Sequence, residues 1–246
     1  MKTRAAILVE TGRPLEIVDL SVPSLLPGQV LVEVAYSGVC HTQLGEVRGQ
    51  RGPDPYLPHC LGHEASGHVR EVGAGVNRVR AGDAVMLSWI KGAGANVAGT
   101  VFEWNGKKVN AGGVTTFARF TVVSENRLTP LPPGFPMRPA ALLGCPVPTG
   151  VGAVLNTAGA RPGQSLVVFG AGGVGCCAIA GAHLAGCDPI IAVDLFEWKL
   201  QLARQFGATH TVEASGDVVE RILQAAGGPL DFALEVTGRP SVMQQA

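Results

Sequence analysis

The stretch SLVVFGAGGVGCCAIAGAHLAGCDPIIAVD, residues 165–194, decides how the second half of this chain folds. It opens on an unbroken apolar run, SLVVFG, the pattern of a strand buried on both faces. A glycine-rich turn, the helical run VGCCAIAGAHLAG and a second apolar strand, IIAVD, follow. Strand, turn, helix and strand in that order make a βαβ unit with parallel strands. Within the turn, GAGGVG at 170–175 has the spacing GxGxxG. Gly170 permits the tight turn, Gly172 lets a pyrophosphate approach the backbone, and Gly175 lets helix and strand pack closely. Gly173 and Val174 complete the run at the helix N-terminus, where unpaired N–H groups and the positive dipole end suit phosphates. The second strand ends on Asp194, 19 residues after Gly175 (194 − 175). A carboxylate there accepts from ribose hydroxyls and repels a 2′-phosphate, which favours NAD over NADP. A glycine turn of purely structural use is the alternative, and the surrounding strand, helix and acid argue against it.

The same rhythm continues to the end of the chain. EWKLQLARQFG (197–207) reads as a helix, THTVE (209–213) as a short strand, DVVERILQAAGG (217–228) as a helix and LDFALEV (230–236) as a fourth strand. Residues 151–246 are therefore expected to form a parallel α/β domain. Residues 1–150 read differently. AAILVE, LEIVDL, QVLVEVAYSG, SGHVREVG, DAVMLSW and FARFTVV are strand-like, with turn signals such as Pro27-Gly28 and Ala81-Gly82-Asp83 between them. A small, mostly antiparallel β domain is expected there. No internal repeat is present.

Composition narrows the partners. The 246 residues carry 19 Lys+Arg against 19 Asp+Glu, so no basic block invites nucleic acid or an anionic membrane surface. No apolar run reaches the 18 residues of a membrane span, and MKTRAAILVE lacks the apolar core of a signal peptide. A cytoplasmic location is expected, with the six cysteines reduced rather than paired.

A chain that binds a redox cofactor invites a second question, about its thiols. In GVCHTQ (38–43), Cys40 is a core residue, half of a disulfide or a metal ligand. CLGHEASGHV (60–69) offers His63 and Glu64, and LLGCPVPTG (142–150) offers Cys145. Two cysteines and a histidine make a soft, mixed set suited to a catalytic zinc, with one position open. The separations are long (63 − 40 = 23; 145 − 63 = 82), and spacing alone does not decide the matter. Cys60, Cys176, Cys177, Cys187 and His183 read as structural, and His59, His68 and His210 carry no assigned role.

Taken together, GVCHT at 38–42, GHE at 62–64, EVGAGVNRVRAGDAV at 71–85, GC at 144–145, GAGGVG at 170–175 and VD at 193–194 resemble the zinc-dependent medium-chain dehydrogenase/reductases, the alcohol dehydrogenase family. The resemblance covers essentially the whole chain, in family order. It implies a GroES-like β fold for residues 1–150, followed by a partial Rossmann doubly wound sheet. It implies one catalytic zinc on Cys40, His63 and Cys145, and hydride transfer between an alcohol, or an aldehyde or ketone in reverse, and NAD(H). It implies that Thr42 takes the alcohol proton, that Glu64 stands behind the metal, that His41 contacts the cofactor pyrophosphate and that Lys199 binds ribose. Trp89 and Phe117 are implied as walls of the substrate cleft. A zinc-free quinone reductase of the same superfamily would not need the three metal-type residues together.

The chain also departs from that pattern. No cysteine lies between Val85 and Phe120, where the family carries four for a structural zinc, so no structural zinc is expected and the loop must be held by other contacts or be flexible. Gln43 stands where an aspartate is usual, and Gly45 where some members have a relay histidine. Only four of the six strands of a full doubly wound sheet are read. The expectation is therefore the first two-thirds of a longer enzyme, homo-oligomeric in its full form. A zinc- and nucleotide-binding fragment without turnover is the alternative.

Overall fold

The computed structural model describes all 246 residues, which divide into two units, Met1–Cys145 and Pro146–Ala246. In the first unit, β1 (Lys2–Leu8), β2 (Glu16–Ser21), β3 (Gln29–Ser37), helix α1 (His41–Val47), β4 (His59–Cys60), β5 (Glu64–Val72) and β6 (Ala84–Ser88) come first. The hairpin β7 (Val101–Trp104) and β8 (Lys107–Asn110) follows, then β9 (Phe120–Ser124), β10 (Leu128–Pro130) and α2 (Met137–Ala140). Strands β1, β2, β7, β8 and β4 close a barrel, and β10, β6, β5, β3 and β9 form a five-stranded sheet. In β1, Thr3 and Ala5 are buried between more exposed neighbours, and the strand ends with Ile7 and Leu8 both buried. Ala5 and Ile7 join Leu20, Cys60, Phe102 and Val109 in the barrel core, while Val30, Val32, Val69, Val85 and Leu87 fill the core of the sheet.

Residues 89–100 contain no helix or strand, yet they are held firmly. Ala95 N–H donates to Glu125 Oε2 at 2.8 Å, and the N–H groups of Asn77 and Arg78 donate to Glu125 Oε1, each at 2.7 Å. Ser124 Oγ donates to Ala95 O (2.6 Å) and accepts from Val97 N–H (2.8 Å). A carboxylate, 2 % exposed, therefore gathers three backbone donors that would otherwise be unsatisfied.

In the second unit, α3 (Pro146–Gly152) runs on into a π-helical turn, Ala153–Ala158. Then come β11 (Leu166–Phe169), α4 (Gly173–Ala185), β12 (Ile190–Asp194), α5 (Glu197–Gln205), β13 (His210–Glu213), α6 (Val218–Ala226), β14 (Phe232–Glu235) and α7 (Pro240–Met243). The four strands are parallel, in the order β13-β12-β11-β14. That is the 3-2-1-4 part of a doubly wound sheet. Leu166 and Val168 face one core with Ala178 and Ile179; Val167 and Phe169 face another with Val218 and Ile222. A strand with helices on both faces must be apolar throughout, which is why SLVVFG shows no alternation. The strand-and-turn reading of residues 1–150 misses the helical run from Met137 onward, whose Pro, Gly and Ala content carries no clear helical period.

Candidate functional site

Three chain segments in the first unit converge. Cys40 is the residue before α1, just after β3. His63 immediately precedes β5, and the Gly38 N–H donates to Glu64 O at 3.1 Å, tying the two segments together. Cys145 arrives from the far end of the unit. Its approach depends on Gly144, where an added Cβ would lie 2.3 Å from Leu87 O, and on Ser88 Oγ, which donates to Gly144 O at 2.7 Å. As a result the Sγ atoms of Cys40 and Cys145 and a ring nitrogen of His63 all lie within 4.8 Å of one another. His63 Nε2 is 3.3 Å from Cys145 Sγ.

The chemistry of this donor set fits zinc. Donors at bond lengths of roughly 2.0–2.3 Å around a tetrahedral ion stand about 3.3–3.8 Å apart, which the cluster accommodates. Burial lowers the His63 pKa, and the nearby Arg51 charge lowers it further, both in the direction that favours the neutral ring. Cys60, three residues upstream, is different. Burial pushes its thiol up to about 12 against an opposing hydrogen bond from Thr115, which leaves it protonated in the barrel core. Thr42 Oγ1 lies 3.5 Å from Cys40 Sγ. Glu64, next to His63 in the chain, is buried, its Oε2 has no hydrogen-bond partner, and burial pushes its carboxyl up to about 7. Gln43, in the sequence only a departure from the family pattern, is 5 % exposed, and its amide touches both Cys40 and His63.

A cavity of about 610 Å³ opens against Gln43 and His63. An ion pair, Arg51 with Glu46 (3.3 Å), and a hydrogen-bonded pair, His59 Nε2 with Asp54 Oδ2 (2.8 Å), line it. Trp89 and Phe117 do not line this cavity. The Trp89 side chain is half exposed, and Phe117 lies against Gly62. The His59–Asp54 pair left no signal in the sequence, because neither residue belongs to a spaced motif. His41 is exposed on the first turn of α1.

In the second unit the turn between β11 and α4 has the form its glycines require. Gly170 sits at φ +101°, and Gly172 and Gly173 are exposed, with open space or only a loose contact where a Cβ would stand. A Cβ on Gly175 would lie 1.8 Å from Gly170 O. Gly175→Ala must therefore push helix and strand apart. It is expected to cost about 1–3 kcal/mol, a fall in Tm of roughly 2–4 °C per kcal/mol for a chain of this size, and to weaken nucleotide binding. Thermal melting and calorimetric titration with NAD check both. Asp194, 8 % exposed, accepts from Ala171 N–H (2.9 Å) and Phe196 N–H (3.1 Å), with Lys199 Nζ 3.6 Å away. The acid and the lysine thus sit together at the end of β12, next to the glycine turn.

Comparison with known proteins gives the family. Residues 26–133 match the family described as alcohol dehydrogenase GroES-like domain, and residues 173–246 the family described as zinc-binding dehydrogenase. An S-(hydroxymethyl)glutathione dehydrogenase of Synechocystis sp. is 36 % identical over all of this chain and 74 % of its own length. This chain belongs to the zinc-binding alcohol dehydrogenase family. An alcohol dehydrogenase class-3 of Cereibacter sphaeroides is also 36 % identical, with the same coverage. Among solved structures of the family, an alcohol dehydrogenase zinc-binding domain protein from Burkholderia ambifaria superposes with a TM-score of 0.90 at 35 % identity. It is covered over 73 % of its length by the whole of this chain. Benzyl alcohol dehydrogenase from Acinetobacter calcoaceticus gives 0.87 at 34 %, with the same coverage. The GroES-like and Rossmann-like halves expected from the sequence are those of this family, and the chain is an oxidoreductase of the zinc alcohol dehydrogenase class. No single helix is long and apolar enough to cross a membrane.

Proposed function

We propose that this chain oxidises an alcohol, or reduces the matching aldehyde or ketone, with one catalytic zinc held by Cys40, His63 and Cys145 and with NAD(H) as hydride carrier. The convergence of those three donors within 4.8 Å carries the reading. Bound there, zinc would supply the Lewis acidity that lowers the pKa of an alcohol, and NAD the acceptor for its hydride. The two thiolates offset the ion's charge, and the neutral His63 ring completes the protein's share. Thr42 receives the alcohol proton at Oγ1. Glu64, buried and raised, tunes the charge behind the ligands.

Gly170, Gly172, Gly173, Val174 and Gly175 take the pyrophosphate on backbone N–H groups, and Asp194 and Lys199 take the adenosine ribose. The Asp194 carboxylate accepts from the ribose hydroxyls, and the Lys199 ammonium beside it adds a donor on the same side. His41 is a further cofactor contact, and Trp89 and Phe117 are walls for the substrate. The setting is cytoplasmic, where thiols such as the Cys40 and Cys145 ligands stay reduced.

The test is NADH formation by the zinc-loaded chain with alcohols of graded size, ethanol, benzyl alcohol and S-(hydroxymethyl)glutathione among them. The expected result is saturable turnover that stops on chelation and prefers NAD to NADP by about tenfold or more, the cost of setting a 2′-phosphate against Asp194. Turnover indifferent to chelation, or none with any alcohol, contradicts the reading.

A further inference from the structure

Gln43 is the side chain that touches two of the three metal-type residues at once. Its Oε1 accepts from the Cys40 N–H at 3.0 Å, and its Nε2 lies 2.7 Å from His63 Nδ1. The orientation of this amide follows from its partners. A backbone N–H only donates, so the amide atom facing Cys40 must be the oxygen. The atom facing His63 is then the NH₂ group, which also only donates. His63 Nδ1 must therefore present a lone pair, and a neutral imidazole with a bare Nδ1 carries its proton on Nε2. Nε2 is the nitrogen 3.3 Å from Cys145 Sγ.

We propose that Gln43 holds metal-free His63 in the tautomer unsuited to coordination, so that this chain binds zinc more weakly than it would with a carboxylate at position 43. To ligate through Nε2, the ring must move its proton to Nδ1, and Nδ1–H then needs an acceptor. Turning the Gln43 amide to offer Oε1 sets its NH₂ against the Cys40 N–H. One of the two contacts is sacrificed either way, in a place where a 5 % exposed side chain leaves little access for water. A carboxylate has two accepting oxygens and satisfies Cys40 N–H and His63 Nδ1–H together. Partners of this kind, hydrogen-bonded to a ligating histidine, change metal affinity by about 10–100-fold. Gln43 is thus a positioning residue that sets how readily the site loads.

The inference rests on the metal reading of the cluster, and its test separates the two. Nitrogen NMR of the metal-free chain near neutral pH reads the His63 tautomer with no zinc present. The wild type is expected to carry the proton on Nε2 and Gln43→Glu on Nδ1. Zinc affinity, measured by competition with a chelator, is expected to rise about tenfold or more in Gln43→Glu. A wild-type proton on Nδ1 overturns the inference even if Gln43→Glu binds more tightly, since added charge alone would explain that. Equal or weaker zinc binding by Gln43→Glu overturns it as well. Zinc uptake by neither protein overturns the metal reading itself, and the NMR signal tells that failure apart.

Discussion

His63→Ala is expected to empty the metal site and to lower kcat/KM by about a thousandfold or more. The Lewis acid contributes several kcal/mol to the transition state, and each 1.36 kcal/mol is a factor of ten in rate. Removing one of three protein donors should leave Cys40 and Cys145 unable to retain zinc against a mild chelator. The fold should survive, because His63 is only half-buried and its ring touches Gln43 and Cys145 rather than the sheet core. His68→Ala is the matched control. His68 lies on β5, five residues away, outside the cluster, and its loss should change neither zinc content nor rate. Elemental analysis and NADH formation on both variants check this. Full zinc content in His63→Ala would mean the ion sits elsewhere.

The largest expected effect on stability lies at Glu125. Glu125→Ala strands three backbone N–H groups, those of Asn77, Arg78 and Ala95, each bonded to a charged acceptor in the native chain. Hydrogen bonds to charged groups contribute about 1.5–3 kcal/mol each. Partial rescue by water brings the expected total to about 3–5 kcal/mol, at the upper end for one substitution. For a chain of this size the fall in Tm is roughly 10 °C. Glu125→Gln should recover only part of the loss, since the amide NH₂ cannot accept. Burial by itself would raise the Glu125 carboxyl, but the three N–H groups and the Arg78 charge outweigh it and hold the pKa below the ordinary value. A carboxyl lowered on folding stabilises fully above its unfolded pKa of about 4.3 and loses that contribution as pH falls through the folded value. The Tm gap between wild type and Glu125→Ala should therefore be wide near neutrality and close in acid. A gap independent of pH would show that the charge is not what holds residues 92–97.

These two residues also mark where the sequence is legible and where it is not. The second unit can be read almost element by element, because its signals are local: an apolar strand, a glycine turn, a helix and an acid lie within 30 residues of one another (165 to 194). The metal cluster is assembled from residues 23 and 82 apart (63 − 40; 145 − 63), and no local pattern carries such contacts. Only the resemblance in family order points to it. Glu125 is invisible for the same reason. Its value lies in backbone donors 30 to 48 positions away, and a glutamate after a strand looks like any surface acid. Strands β4, β7, β8 and β10, two to four residues each, are too short to show a period. Gln43 stands out in the sequence for its missing charge, but its geometry, one amide shared between two ligand-bearing segments, needs coordinates.

The central claim is that Cys40, His63 and Cys145 together hold one catalytic zinc. Zinc-edge X-ray absorption on the metal-loaded chain, with stoichiometry from elemental analysis of the same sample, tests it most directly. The account predicts one zinc per catalytic cluster with two sulfur neighbours and the rest nitrogen or oxygen, falling to one sulfur in Cys145→Ser. A shell of oxygen and nitrogen alone, or a two-sulfur shell untouched by Cys145→Ser, would contradict it.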